Sequence, residues 1–593
     1  MNRLIGLIIS IIRGLSVAVS RFPLTVACLG CAAVLISYMI YLDKEPDLII
    51  QKLMFTFLLG AFLGIAAQFS CERFERLSRL RVFVYTLSAL LAVGYYLILL
   101  PAADISFEIA IRTLVAVFAM FCVFLYVPSY RGKYDFNAVA LSHFKSVFTS
   151  VLYSGVLTAG CASIIGTIDI LLFAVNDDAY AYMMTIIWVL FACIYYLSLL
   201  PRFNSQDAGE LQYAEYAAQY PRFLEILISY IAIPLLAAYT LVLAVYFVKI
   251  LVTLTWPSGQ LGAMVLAYSA AGLILFILSS RLDNRFARSY CMIFPKVLIP
   301  VVIMQLISVG IRLDAYGITE SRYYVALFGV FSIICGIFLS LKPISKNGII
   351  ALLAAFFAIF SVIPPVDAFT VSRVSQITRL ESMLTTEGIL VNGEIKPRAE
   401  VSKNLRIEST SILSYLENRS YIKYVKWLPD DFKTNKEMEN VLGFEPAYTD
   451  NNSRYFFAHI DMDKPFNISG YDICFHTNLY RTMDKDAQPF DFELQGIKYQ
   501  MVFERVSPQE VQVSVKDSDG VELVGTGLYE FTKTLSEIEN AHKKALSPET
   551  MTFDLEENAY KLRIIFENIN ITNSSGSDAG VDCSLFILFG APD

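Results

Sequence analysis

Eleven apolar stretches, each long enough to cross a bilayer, lie between Phe22 and Ala368. They run Phe22 to Leu42, Gln51 to Ser70, Val82 to Pro101, Ile105 to Val127, Ser146 to Val175, Tyr180 to Leu200, Phe223 to Leu254, Leu261 to Ser280, Met292 to Ile311, Tyr323 to Leu341, and Gly348 to Ala368. A helix rises about 1.5 Å per residue, so roughly twenty apolar residues match a hydrocarbon core of about 30 Å. Soluble helices of that length keep a polar stripe, and these segments have none. The expected fold is a polytopic α-helical membrane bundle of about eleven helices, spanning residues 22–368.

Orientation follows from the basic residues between the spans, because short loops rich in Lys and Arg stay cytoplasmic. Eighteen of them, with Arg73, Arg76, Arg79, Arg81, Arg281, Arg285 and Arg288 in the densest runs, fall on one set of alternate connections. The other set and its borders hold four: Lys44, Lys52, Arg312 and Arg322. The first set is therefore expected inside, with the amino terminus. An odd number of crossings then places everything after Phe369 outside. Residues 1–21 resemble a leader at Ala18-Val19-Ser20. Arg13 interrupts the apolar run, however, and Arg3, Gly6, Ser10, Arg13, Ser16 and Ser20 recur every three or four positions along one face. An amphipathic helix in the inner interface is the expected form.

Composition changes near Pro364-Pro365. Through Phe369 the chain holds 24 basic and 19 acidic residues, and beyond it 23 and 35. An acidic tail argues against nucleic acid as a partner and against adhesion to anionic lipid. Eight of the ten cysteines lie in or beside the spans, and Cys474 with Cys583 in the tail form a candidate disulfide or two buried thiols. The four histidines, His143, His459, His476 and His542, are scattered, so structural roles are expected and no metal or cofactor site is read.

The tail divides in two. Residues 369–445 read as a helical stalk or collar, with Val374, Ile377, Leu380, Met383 and Leu384 as one apolar stripe and a second helix near Leu405 to Glu417. Residues 446–593 alternate in short runs such as Tyr499 to Arg505, Glu510 to Val515 and Lys561 to Phe566, with a helix near Thr532 to Lys544. An extracytoplasmic α+β domain of mostly antiparallel β-sheet is expected there.

Several blocks resemble a known family. Ser20-Arg21-Phe22-Pro23-Leu24-Thr25, Tyr230-Ile-Ala-Ile-Pro234 with Lys249-Ile250-Leu251 and Trp256-Pro257, and Tyr316-Gly317-Ile318-Thr319-Glu320-Ser321-Arg322-Tyr323 are of this kind. So are Ser372-Arg-Val-Ser375-Gln376, Arg379-Leu380-Glu381 and Leu390-Val-Asn392-Gly393. Together they resemble the bacterial membrane family described as domain of unknown function 4153. The resemblance implies a multi-pass protein of the bacterial cytoplasmic membrane and carries over no activity.

Charges inside or at the edges of apolar spans are costly and become site candidates. Glu108 and Arg112 are four apart and can pair on one helix face; Asp169, Lys249, Arg312 and Asp314 fall toward the same outer leaflet. These six make a candidate outward-facing polar pocket. Thr319 is expected to cap the tenth helix, with Glu320 complementing its dipole. No catalytic motif is present, so the leading expectation is a non-enzymatic envelope protein that senses or binds through its outer domain or serves as a scaffold, with the lipid bilayer as partner and an envelope protein or a small-molecule ligand as the further candidates. A transporter or lipid-handling protein is the alternative, and a membrane enzyme acting on lipid or wall precursors the third.

Overall fold

The computed structural model describes residues 2–43, 46–253, 260–448, 455–480, 488–507, 510–536, 545–572 and 580–592. The chain forms two compact units, Met1–Pro446 and Ala447–Asp593.

The first unit opens with α1 (Asn2–Arg21), α2 (Pro23–Leu42) and α3 (Leu48–Arg73), then the short α4 (Glu75–Arg79), α5 (Arg81–Leu99), α6 (Phe107–Tyr126) and α7 (Phe136–Leu171). α8 (Asp178–Met184) continues through a π-helical turn into α9 (Ala192–Ser198). The short α10 (Ala208–Ala217) precedes α11 (Arg222–Ile226), which passes through a second π-helical turn, Leu227–Ala232, into α12 (Ile233–Thr253). α13 (Gln260–Ser279), α14 (Arg285–Tyr316), α15 (Glu320–Leu341) and α16 (Ile349–Phe360) complete the bundle. Pro234 has no N–H to give the carbonyl of residue 230, and the helix widens at that place. Residues 254–259, with Trp256-Pro257, lie outside the described residues.

Among the described residues ten helical segments are long and apolar enough to cross a membrane, and the chain is a multi-pass membrane protein. The eleventh expected span, Gly348 to Ala368, is corrected: its helix ends at Phe360 after 12 residues. Pro364 and Pro365 cannot continue it, and Asp367 turns the chain by accepting from Phe369 N and Thr370 N. The segment nonetheless covers the height of its neighbour. Asn137 at the start of α7 donates to Ile344 O, whereas Tyr323 at the start of α15 donates to Val366 O, so residue 366 has returned to the end where α15 begins.

Small residues set the closest helix contacts, as expected where lipid supplies no hydrophobic drive. Gly329 and Gly336 let α15 approach Leu306 and Ile299 of α14. At Gly64 an added Cβ would lie 2.8 Å from the Thr25 backbone nitrogen, and Thr25 Oγ1 donates to Ala61 O at 2.9 Å.

After Asp367 come α17 (Ala368–Thr386), the two-residue hairpin strands β1 (Leu390–Val391) and β2 (Glu394–Ile395), α18 (Lys403–Asn418) and α19 (Thr434–Leu442). Their core is Leu380, Leu384, Leu413, Leu416, Phe432 and Met438, so the stalk has a hydrophobic interior of its own.

In the second unit every ladder between the described strands is antiparallel, with one isolated parallel bridge between Ile460 and Leu546. β3 (Tyr455–His459), β10 (Tyr560–Thr572), β11 (Gly580–Gly590) and β4 (Ile473–Leu479) lie in that order, with β9 (Thr552–Glu557) also on β10. A meander of β5 (Gln488–Leu494), β6 (Ile497–Arg505), β7 (Val511–Asp517) and β8 (Glu522–Gly527) forms the other sheet. A bulge between Phe566 and Asn568 lets one strand, β10, pair with β9 along its first half and β3 along its second. The expected helix is α20 (Tyr529–Ser536); residues 537–544 lie outside the described residues.

The candidate disulfide is corrected. Cys583 pairs with Leu479, and Cys474 with Leu588, so the two cysteines stand five residues apart along the β4–β11 ladder. That separation is roughly 17 Å, against the ~7 Å limit for bridged Cα atoms. Both are free thiols, and burial pushes Cys583 up to about 12.

Two outcomes follow. Gly64→Val should force α2 from α3 and lower stability by about 1–3 kcal/mol, read as a lower thermal midpoint in detergent. Under non-denaturing conditions a maleimide should modify exposed Cys474 and spare Cys583 until the chain is unfolded; a mass matching a 474–583 bridge would contradict the strand register.

Candidate functional site

The densest polar arrangement in the first unit lies where α14 ends and α15 begins. A helix leaves its last carbonyls without internal partners. Here α17 supplies them. Ser375, Gln376 and Arg379 lie on one face of α17, spaced one and three apart. Gln376 Nε2 donates to Tyr316 O and Ile318 O at 3.0 Å each, Ser375 Oγ accepts from Ile318 N at 2.9 Å, and Arg379 donates to Ala315 O and Tyr316 O. Arg322 adds bonds to Tyr316 O and Gly317 O. Gly317 has φ +67°, and a Cβ there would sit 2.9 Å from Gln376 Nε2. Only glycine suits that backbone and that space.

Glu320 begins α15 and is 3 % exposed. Its carboxylate accepts from Tyr415 at 2.6 Å and Tyr421 at 2.8 Å and pairs with Arg419 at 3.7 Å. Burial first, and then the Glu320 carboxylate, raise both phenols above their usual range, so they remain protonated donors. The expected cap is different in form: Thr319 holds the N-cap position, yet its side chain makes no cap bond and meets Ser321 instead. Glu320 does more than complement a dipole. It is the acceptor at the centre of a helix-to-stalk joint.

Glu108 and Arg112 border this joint. They pair at 2.6 Å, the Arg112 guanidinium lies 5.8 Å from the Phe369 ring, and Arg419 lies 3.8 Å from the ring of Phe107. Asp169 is exposed at the end of α7, where it accepts from Val175 N at 2.7 Å. Lys249 on α12 and Asp314 on α14 are exposed, and Arg312 is half-buried. Among the described residues no hydrogen bond or ion pair joins these four to Glu108 or Arg112. The structure thus brings together the first pair and, beside it, Glu320, Tyr415, Tyr421 and Arg419. The partners on α18 and just after it lie about a hundred residues from Glu320, and nothing in local spacing marks them.

A second feature runs through the bundle. Between α6, α7, α13, α15 and α16 is a slot of about 610 Å³ with an almost wholly apolar lining, including Phe118, Phe121, Ile274, Phe328 and Phe357. Tyr324 and Ser361 stand at the end near the joint, and His143 with Tyr196 toward the other. His143 Nδ1 meets the Tyr196 hydroxyl at 2.7 Å inside a cage of Phe69, Phe124 and Phe203. Its Nε2 is buried with no hydrogen-bond partner among the described residues, unlike the satisfied role expected. His476 pairs with Glu567 at 2.9 Å, and His542 lies outside the described residues.

Arg21 locks the opposite end of the bundle. It forms a two-point pair with Glu72 at 2.7 and 2.8 Å and donates to Leu200 O and Pro201 O, tying the α1–α2 bend to α3 and α9.

Charge-assisted bonds of the Glu320 kind are worth about 1.5–3 kcal/mol each, and a buried donor left alone costs a similar amount. Glu320→Ala should therefore loosen the stalk, with protease cleavage in residues 387–403 faster by tenfold or more at that energy. Tyr421→Phe should show a smaller effect. Equal cleavage of all three proteins would remove the joint from the account.

The model of the family described as Domain of unknown function (DUF4153) matches residues 30–393. An uncharacterized protein of Pasteurella multocida (strain Pm70) is 20% identical over 273 residues, covering 46% of this chain and 45% of that relative. The chain thus matches less than half the length of that relative. No solved structure matches the chain. The matched segment contains the Tyr316–Tyr323 block, the α17 face that caps it and the Leu390–Gly393 turn, and on that match the chain belongs to the DUF4153 family.

Proposed function

We propose that this chain is a multi-pass protein of the bacterial cytoplasmic membrane, amino terminus inside and carboxyl-terminal domain outside, that senses or binds in the envelope rather than catalysing a reaction. The observation that carries the reading is the Glu320 joint. Its polar groups are spent on one another: the carboxylate is occupied by two phenols and a guanidinium, and the α14 carbonyls by α17. Such an arrangement holds a stalk in place, which suits an anchored sensing or binding role.

The orientation rests on the eighteen-to-four distribution of basic residues and on the return of residue 366 to the α15 starting end, which makes the short α16 segment an eleventh crossing. The amphipathic α1 lies in the inner interface on this reading, with Arg21 as its anchor. A lipid-handling role is the second reading. The apolar slot favours it over transport of a polar solute, which would need polar walls near the midplane.

The exposed thiol of Cys474 tests the orientation. A membrane-impermeant maleimide applied to intact spheroplasts should label the chain, and Cys474→Ser should abolish that labelling. Labelling of Cys474 only after lysis would place the domain in the cytoplasm and overturn the proposal.

A further inference from the structure

We propose that the slot between α6, α7, α13, α15 and α16 is a binding site for one acyl chain of an anionic membrane phospholipid, its phosphate held at Arg112. The site needs only the membrane location of the bundle and is independent of which side the tail faces.

The shape comes first. The slot follows α16, whose 12 residues rise about 18 Å, so it is long and narrow. A flexible chain fits such a space better than a compact ring system. The lining comes second. Water in a buried cavity needs two to four polar partners, and along this slot the polar side chains stand only toward its two ends. Hydrocarbon is the filling that its walls can hold.

Access comes third. Phe118, Val147 and Ile274 line the slot and are also 42%, 46% and 57% exposed. In a membrane helix such exposure faces lipid, so the slot opens sideways to the bilayer and its chains. Charge comes last. Arg112 does not line the slot itself, but it lies one turn before the lining residue Val115 on α6, at the end where Tyr324 stands. Glu108 takes one terminal nitrogen of its guanidinium and Phe369 covers part of a face, yet 40% of the side chain remains open. Its Nε is buried without a hydrogen-bond partner among the described residues, so the exposed end of the guanidinium is what meets a phosphate oxygen. Ser361 and Tyr324 line the same end of the slot.

The test uses the full chain in vesicles of phosphatidylethanolamine and phosphatidylglycerol, with a trace of phosphatidylglycerol carrying a mid-chain diazirine. Irradiation should place adducts on peptides from 115–125 and 350–358. Ala354→Trp, which fills the slot from α16, should lower those adducts by about tenfold while adducts on other surfaces persist. Arg112→Gln should reduce the preference for phosphatidylglycerol over phosphatidylcholine by about threefold. If Ala354→Trp fails to fold, the adduct map of the unaltered chain decides alone. Adducts confined to other surfaces, or a prenyl quinone displacing the probe where excess phosphatidylglycerol does not, would overturn the proposal. Neither result bears on the labelling of Cys474, so this site and the orientation stand or fall separately.

Discussion

A single carboxylate, Glu320, sets the geometry on which the first unit depends. An ionised group taken out of water is costly unless paired and hydrogen-bonded, and at 3 % exposure Glu320 meets that condition only with Tyr415, Tyr421 and Arg419 in place. Those three residues belong to α18 and the segment just after it. The start of α15 can therefore be buried only if the stalk is seated, and the stalk's own core of Leu413, Leu416 and Leu380 fixes where the two phenols point. The carbonyls released at the end of α14 impose a matching demand from the other side of the turn, which α17 meets through Gln376 and Arg379. Two helix ends that would otherwise need water are closed by one layer of protein.

The bilayer explains why this closure falls at a helix end. Within hydrocarbon every backbone group must find its partner inside the chain, which leaves regular helix as the default and confines irregular backbone to places covered by protein. The widened turn before Pro234 and the shortened α16 are departures that follow from a residue that cannot donate, whereas the π-helical turn Thr185–Phe191 contains no proline. Where helices touch, Gly64, Gly329 and Gly336 replace the hydrophobic drive that lipid cannot supply.

The bundle was legible in the sequence because length and apolarity act locally: each span declares itself within twenty residues. The alternating strands of the second unit were legible for the same reason. Helix ends were not. The fifth span begins ten residues earlier than its apolar run, since Asp135 caps a first turn of Phe136, Asn137, Ala138 and Val139 that packs in the interior, and the last span stops eight residues short, ahead of a proline pair. The joint was half legible. Glu108 with Arg112 is a four-residue relation, and the polar face of α17 is visible at Ser372, Ser375, Gln376 and Arg379. Glu320 reads from sequence as an ordinary first-turn acid, because its partners are brought to it by tertiary folding. The cysteine pair failed on register: two strand residues reveal nothing of their separation until the ladder is known.

The family match runs from residue 30 to Gly393, inside the small hairpin of the stalk, and so takes in the bundle from within α2 onward, the Tyr316–Tyr323 turn and the α17 face that caps it. The β-rich second unit lies beyond that boundary. What the matched segment defines is thus a bundle together with the helix that closes it, and α6 and α15 serve both purposes. The helix that carries Glu108 and Arg112 walls the slot with Phe118 and Phe121, and the helix that begins at Glu320 walls it with Phe328. Cores this tightly packed respond to a displaced wall as a unit rather than residue by residue. Filling the slot and seating the stalk act on the same two helices, and any energetic link between them must run equally in both directions.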